Sequence, residues 1–164
     1  MNRIFVFLGI FFVLAASRFI PHPPNFTSVL ALAFYVPAIL GLRYIPVLAI
    51  SFIITDFIIG YHNLTHWTWG SIILIGLIST FFKRNFSLRI IGTTCGAILF
   101  YLITNFGVWT TGSYGYNLNG LITSYTLAIP FFYYTLLSTF IFSLTIEIIL
   151  KFYKSIFNNF EVTK

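Results

Sequence analysis

Three acidic residues, three histidines and one cysteine are all that this 164-residue chain offers to acid–base, metal or nucleophilic chemistry. Asp56 stands in the apolar run Ile53-Ile54-Thr55-Asp56-Phe57-Ile58-Ile59-Gly60. A carboxylate at membrane depth is expensive and points into a helix bundle. Two roles suit it: a substrate- or ion-binding group, or a structural partner for Arg18, and both can hold together. Glu147 lies four residues before Lys151, which predicts a local Glu–Lys pair on one helix face. Glu161 falls in a polar tail and is expected to be solvated. His62 and His66 have the i,i+4 spacing that suits a metal on a helix, but Asn63-Leu64-Thr65 reads as a turn and no third ligand is near. His22, His62 and His66 are therefore read as loop or interfacial residues, with no metal and no cofactor expected. Cys95 reads as a small buried hydrophobe. HExxH, GxSxG, Walker and Cys/His zinc spacings do not occur. An intramembrane enzyme needs paired groups at depth, and only Asp56 is there, so the chain is not expected to be an enzyme.

Two further constellations point to binding. Arg18-Phe19-Ile20-Pro21-His22-Pro23-Pro24-Asn25-Phe26-Thr27 has three prolines in four positions, which stiffen it in extended conformations. Such a loop, carrying an arginine, a histidine and an amide, suits a cap over an outward cavity; a plain rigid connector is the simpler alternative. Asn105-Phe106-Gly107-Val108-Trp109-Thr110, followed by Ser113-Tyr114-Gly115-Tyr116-Asn117, combines amides and hydroxyls with aromatic faces. Small-molecule pockets are mostly apolar with a few convergent polar groups. A membrane-interface belt is the alternative here, and Trp109 fits it in either case. The expected substrate-binding set is Arg18, His22, Asn25, Asp56, Asn105 and Trp109.

The elements that must position these residues are helices. The chain is 59% hydrophobic and 21% aromatic, with 7% charged residues against about 25% in soluble domains. It cannot cover a water-facing surface. A net charge of +6 taken alone suits nucleic acid, but the basic residues sit at segment ends and form no patch with exposed aromatics. Arg3, Arg43, the Lys83/Arg84/Arg89 cluster and Lys151/Lys154/Lys164 fall in alternate gaps between apolar segments; Arg18 alone falls on the other side. Basic loops stay in the cytoplasm, so six spans with both termini cytoplasmic are predicted. A bacterial cytoplasmic membrane, with the lipid bilayer as partner, is the expected location.

A span needs about 20 helical residues. The predicted helices cover about Arg3–Arg18, Thr27–Leu42 with Pro37 as a kink, Tyr44–Gly60 with Pro46 in the first turn, Trp69–Phe82, Leu88–Val108 and Phe131–Tyr153. Leu121–Ile129, before Pro130, reads as a re-entrant or interfacial piece. Trp67, Trp69, Trp109, Tyr114 and Tyr116 fall near the outer boundary, as aromatic belts do. A cleavable signal over the first 17 residues is an alternative to the first helix; the strongly hydrophobic continuation favours retention. No polar linker divides the chain, so residues 1–164 are read as one all-α domain.

The Arg18–Ala33 segment, Asp56 with Gly60 and His62, Asn105-Phe106-Gly107-Val108-Trp109 and Gly120–Phe132 together resemble an uncharacterised bacterial family of small six-helix membrane proteins described as transport proteins. That family in turn resembles the substrate-binding S components of energy-coupling factor (ECF) vitamin transporters. The resemblance implies a six-helix bundle with a pocket near the outer face and Pro21–Thr27 as its lid. It also implies a membrane T component and two cytoplasmic ATPases as partners. S components often dock through Ala-x-x-x-Ala in the first helix, and this chain has Gly9, Val13, Ala15, Ala16 and Ser17 with no such pair. The expected function is uptake of a small nutrient or vitamin-like molecule. The alternative is a structural or assembly protein of the cell envelope with no transport activity.

Overall fold

The computed structural model describes residues 3–162. The side chains of Arg3, Lys154 and 156–162 lie outside the described set, and with them the expected solvated tail at Glu161. Seven α-helices and one 3-10 turn make up the described chain, with no strand among its residues: α1 (Arg3–Phe19), α2 (Val29–Leu40), the 3-10 turn Leu42–Tyr44, α3 (Ile45–Ile59), α4 (Thr65–Phe82), α5 (Phe86–Thr110), α6 (Leu118–Leu127) and α7 (Ile129–Val162). Four segments are long and apolar enough to cross a bilayer: Leu42–Ile59, Thr65–Phe82, Phe86–Thr110 and Ile129–Tyr153. α1 and α2 are apolar but have 17 and 12 residues, short of the roughly 20 that a straight span takes. Phe5, Phe12, Phe57, Phe81 and Phe152 stand exposed, which suits a multi-pass membrane protein.

α2 is the centre of the bundle. Its sequence is apolar on every face, the pattern of a helix that is wrapped by others, and Val29 through Pro37 are all buried. α3, α4, α5 and α7 pack around it. Pro37 lies inside α2, and the helix ends at Gly41, whose φ of 98° is open to glycine; its N–H bonds back to Pro37 O at 3.0 Å. α1 sits at the periphery, mainly against α3. It buries Val6, Ile10 and Leu14, four residues apart.

α4 and α5 share the most extensive contact of the helix pairs, and glycines let them meet. A Cβ on Gly107 would stand 2.5 Å from the Trp67 ring, on Gly96 3.1 Å from Ile75, and on Gly92 2.5 Å from the Phe34 ring and 2.6 Å from Phe82 Cβ. These contacts run antiparallel from one end of the pair to the other. Asn85 caps α5 by accepting from Leu88 N–H at 2.9 Å, and Asn117 caps α6 by accepting from Gly120 N–H at 2.8 Å.

Several sequence expectations need correction. α4 begins at Thr65, one turn before the expected Trp69, because the Thr65 hydroxyl donates to His62 O at 2.6 Å and accepts from His62 N–H at 3.1 Å. His66 is therefore helical while His62 stays in the loop. α6 starts at Leu118, ahead of Leu121. Pro130 sits in the first turn of α7, where a missing N–H costs nothing. Cys95 is exposed on α5. Glu147 takes partners from other helices: Arg89 of α5, with Nε to Oε1 at 2.5 Å and Nη2 to Oε2 at 2.7 Å, and the Tyr35 hydroxyl of α2 at 2.7 Å. The expected partner was Lys151. A fork-shaped guanidinium meets both carboxylate oxygens, which the single ammonium of a lysine does not.

Gly92→Ala should destabilise the protein by about 1–3 kcal/mol through overpacking against Phe34 and Phe82. Gly9, with nothing within 4 Å of its Cβ position, should accept alanine without loss. Thermal unfolding of the two variants in mild detergent makes the comparison.

Candidate ligand-binding site

The end of the bundle that carries the proline loop holds a cavity of about 280 Å³. Its walls come from α1 (Arg18), the loop (His22, Asn25, Thr27), α2 (Val29, Leu30), α3 (Phe52, Asp56, Ile59), the α3–α4 turn (His62), α4 (Thr68), α5 (Phe100) and α7 (Thr135, Ser138). Polar groups thus converge on a floor of apolar side chains.

The electrostatic centre is the pair Arg18–Asp56. Arg18 Nη2 donates to Asp56 Oδ1 at 2.5 Å, and Nη1 donates to Thr55 Oγ1 and to Phe52 O at 3.4 Å. The guanidinium carbon lies 4.4 Å from the Phe52 ring centroid, a cation–π distance. The other carboxylate oxygen, Oδ2, accepts from Trp69 Nε1 at 2.6 Å. Asp56 is 6% exposed, and a donor on each oxygen offsets the cost of burying the carboxylate. Three helices are joined by this arrangement: Arg18 closes α1, Asp56 lies near the end of α3, and Trp69 lies in the second turn of α4.

The loop is anchored at both sides. The Ser17 and Ser28 hydroxyls meet at 2.8 Å and clamp its two ends together. His22 Nδ1 lies 2.7 Å from Pro23 O, and Nε2 lies 3.3 Å from Arg18 O at the last turn of α1. Asn25 adopts φ 62°, the left-handed region that asparagine tolerates better than most residues. Its carbonyl accepts from Thr27 N–H at 3.0 Å and from Ser138 Oγ at 3.4 Å. Phe26 packs on Phe142 of α7 with ring centroids 6.2 Å apart. The proline segment therefore spans from α1 to α7 over the cavity.

A second cavity of about 90 Å³ adjoins the first and shares Asn25, Phe100 and Thr135 with it. Asn105, Tyr101 and Phe132 are among its walls. Asn105 is buried and donates from Nδ2 to Tyr101 O at 2.8 Å. Tyr101 and Phe132 lie 4.4 Å apart, centroid to centroid. Tyr101 and Tyr125 hold α6 against α5: each hydroxyl donates to a backbone carbonyl of the other helix, Tyr125 O at 2.7 Å and Leu102 O at 2.8 Å.

Of the six residues expected at the site, Arg18, His22, Asn25 and Asp56 share the larger cavity. Asn105 lies in the smaller one, and Trp109 lines neither. Trp109 packs on Phe106, and its Nε1 is buried with no partner. Trp69, expected at the interface, turns inward to Asp56. It sits 13 residues after the carboxylate, on the far side of the α3–α4 connection, and that distance in sequence gives no local signal of the contact. Thr68, Thr135 and Ser138 were also missed, although a hydroxyl repeat in an apolar helix was readable in 135–143.

A family of unknown function (DUF6580) matches residues 1–160, and the chain belongs to it. No curated protein and no solved structure matches the chain. Membership in an uncharacterised family is thus as the resemblance implied, and these comparisons lend no support to the likeness to S components of ECF transporters.

Removing one member of the central pair leaves a buried charge without its partner, which costs about 3–5 kcal/mol. Asp56→Ala and Arg18→Met should each lower the unfolding midpoint sharply. The double variant Arg18→Met/Asp56→Leu should recover part of the loss. Equal loss in all three would mean that the pair is not coupled as described.

Proposed function

We propose that this member of the family is a transport protein that takes a small nutrient or vitamin-like molecule from outside a bacterial cytoplasmic membrane. The observation that carries the reading is the cavity beneath the proline loop, where an ion pair of zero net charge, two histidines, an amide and several hydroxyls converge on apolar walls. Its volume lies near the lower end of the range for small-molecule sites, roughly 300–1,000 Å³. A ligand with net charge would go uncompensated there, so an uncharged, zwitterionic or weakly acidic molecule in its neutral form suits it best. Arg18, Asp56, His22 and Asn25 would contact it in the larger chamber, with Asn105 in the smaller.

In this reading α1 and α2 also cross the bilayer, giving six spans with both termini cytoplasmic. α2 is sheathed by other helices and needs no full lipid-facing length. Arg43, Lys83, Arg84, Arg89 and Lys151 lie at the end opposite the loop, the pattern expected when that end faces the cytoplasm. An S-component-like role would call for a T component and ATPases. The lack of an Ala-x-x-x-Ala pair in α1 favours a different partner or a solitary carrier.

A second reading, a structural or assembly protein of the cell envelope, draws on one observation. Both oxygens of Asp56 are already satisfied by the protein itself, as a purely structural pair would be. Native mass spectrometry of the full chain in mild detergent separates the two. The transport reading expects a bound small molecule that is lost in Asn105→Ala and His62→Ala variants of unchanged thermal stability. A stoichiometric protein partner with no small molecule would favour assembly and overturn transport.

Orientation has its own check. Maleimide labelling of single cysteines placed at Asn63 and at Arg84, in a Cys95→Ser background, should mark the first from outside intact cells and the second only after permeabilisation.

A further inference from the structure

Four described residues of α7 are buried, Thr135, Ser138, Thr139 and Ser143, and all four carry hydroxyls. Small residues alone would serve close helix packing, and α5 uses Gly92, Gly96 and Ala97 for that purpose. α7 instead places oxygen at each buried position. Thr135 and Ser138 satisfy theirs by donating to Phe131 O at 2.9 Å and to Thr135 O at 3.1 Å. Thr139 and Ser143 do not: they are 3% and 0% exposed, and their hydroxyls have no partner. A helical serine or threonine normally falls back on the carbonyl four residues earlier, as Thr145 does with Ile141 O at 2.9 Å. Buried polar groups without partners mark places where water or an ion belongs.

The spacing says what these hydroxyls connect. Thr135, Thr139, Ser143 and Glu147 follow one another at intervals of four residues. Each interval advances about 6 Å along the helix, about twice an O–H···O distance, the gap that a single bridging water would span. Thr135 is in the wall of the larger cavity. Glu147 is the carboxylate held by Arg89 from α5 and Tyr35 from α2, and Lys151 follows it at the same interval on α7 itself.

We propose that this row, with water between its members, is a proton path that joins the cavity to Glu147. A proton entering from cavity water passes along the file, and an O–H bond forms on the Glu147 carboxylate, which neutralises it and releases its ion pair with Arg89. The positive charge of Arg89 then expels that proton to water at the opposite end and restores the carboxylate. The charged and titratable groups that flank the route are Arg18, Asp56, His22 and His62 at the cavity, and Arg89, Tyr35 and Lys151 about Glu147. The inference goes beyond the transport reading and needs no knowledge of the nutrient.

The full chain in liposomes, with a pH-sensitive dye inside and a potassium diffusion potential imposed by valinomycin, measures it directly. Proton entry several-fold faster than in protein-free liposomes is expected. Thr139→Val/Ser143→Ala, which alters no charge and little volume, should return it to the protein-free rate. Glu147→Gln should do the same; should it fail to fold for want of a partner for Arg89, the hydroxyl variant alone decides. Wild-type entry at the protein-free rate overturns the proposal, and so does wild-type entry in the hydroxyl variant. Neither result bears on whether a nutrient binds in the cavity, which native mass spectrometry reads separately.

Discussion

A buried carboxylate near the end of an apolar helix imposes more on this molecule than any other single group. Burying a carboxylate costs several kcal/mol unless it is paired and hydrogen-bonded. The fold meets that demand from two directions, with Arg18 on one oxygen and Trp69 on the other. Those two side chains fix where α1 must end and how α4 must begin relative to α3. The proline loop starts at Arg18 and inherits its position from the pair. The cavity exists because the loop is held out from the bundle by α1 on one side and α7 on the other.

The opposite end repeats the solution with different elements. Glu147 is satisfied by Arg89 and Tyr35, which ties α7, α5 and α2. In a bilayer the hydrophobic effect does little to hold helices together, and packing and interhelical hydrogen bonds take its place. Two such knots at opposite ends, with glycine-mediated contact between α4 and α5 along the length, supply that holding force.

Much of this was legible in the sequence, and the limits have physical causes. Apolar runs separated by basic or proline-rich gaps mark helices, and their number, order and approximate ends follow from period and length. The start of α4 was misjudged because the Thr65 hydroxyl ties the first helical residue back to the N–H and carbonyl of His62, which outweighs the turn-like look of Asn63-Leu64. The Arg18–Asp56 pair was foreseeable because each is the sole charge of its sign at that end. The Glu147–Arg89 pair was not: several basic residues lie at its end, and sequence proximity pointed to Lys151. Choosing among them depends on how α5 and α7 face each other, which no pattern in either helix alone records. Trp69 shows the same limit, since an aromatic at a membrane boundary looks identical whether it faces headgroups or a buried carboxylate. Membership in DUF6580 fixes kinship without supplying a role, so the functional reading rests on the chemistry of the cavity.

α2 has one more consequence. It has 12 residues, all but sealed from the surroundings, and it touches both knots' neighbourhoods: Val29 and Leu30 wall the cavity while the Tyr35 hydroxyl bonds Glu147. Those contacts are only about 9 Å apart along a rigid rod. Such a rod transmits displacement without bending. Where α2 sits therefore sets part of the cavity wall and one hydrogen bond of Glu147 at the same time, so neither can be repositioned without the other.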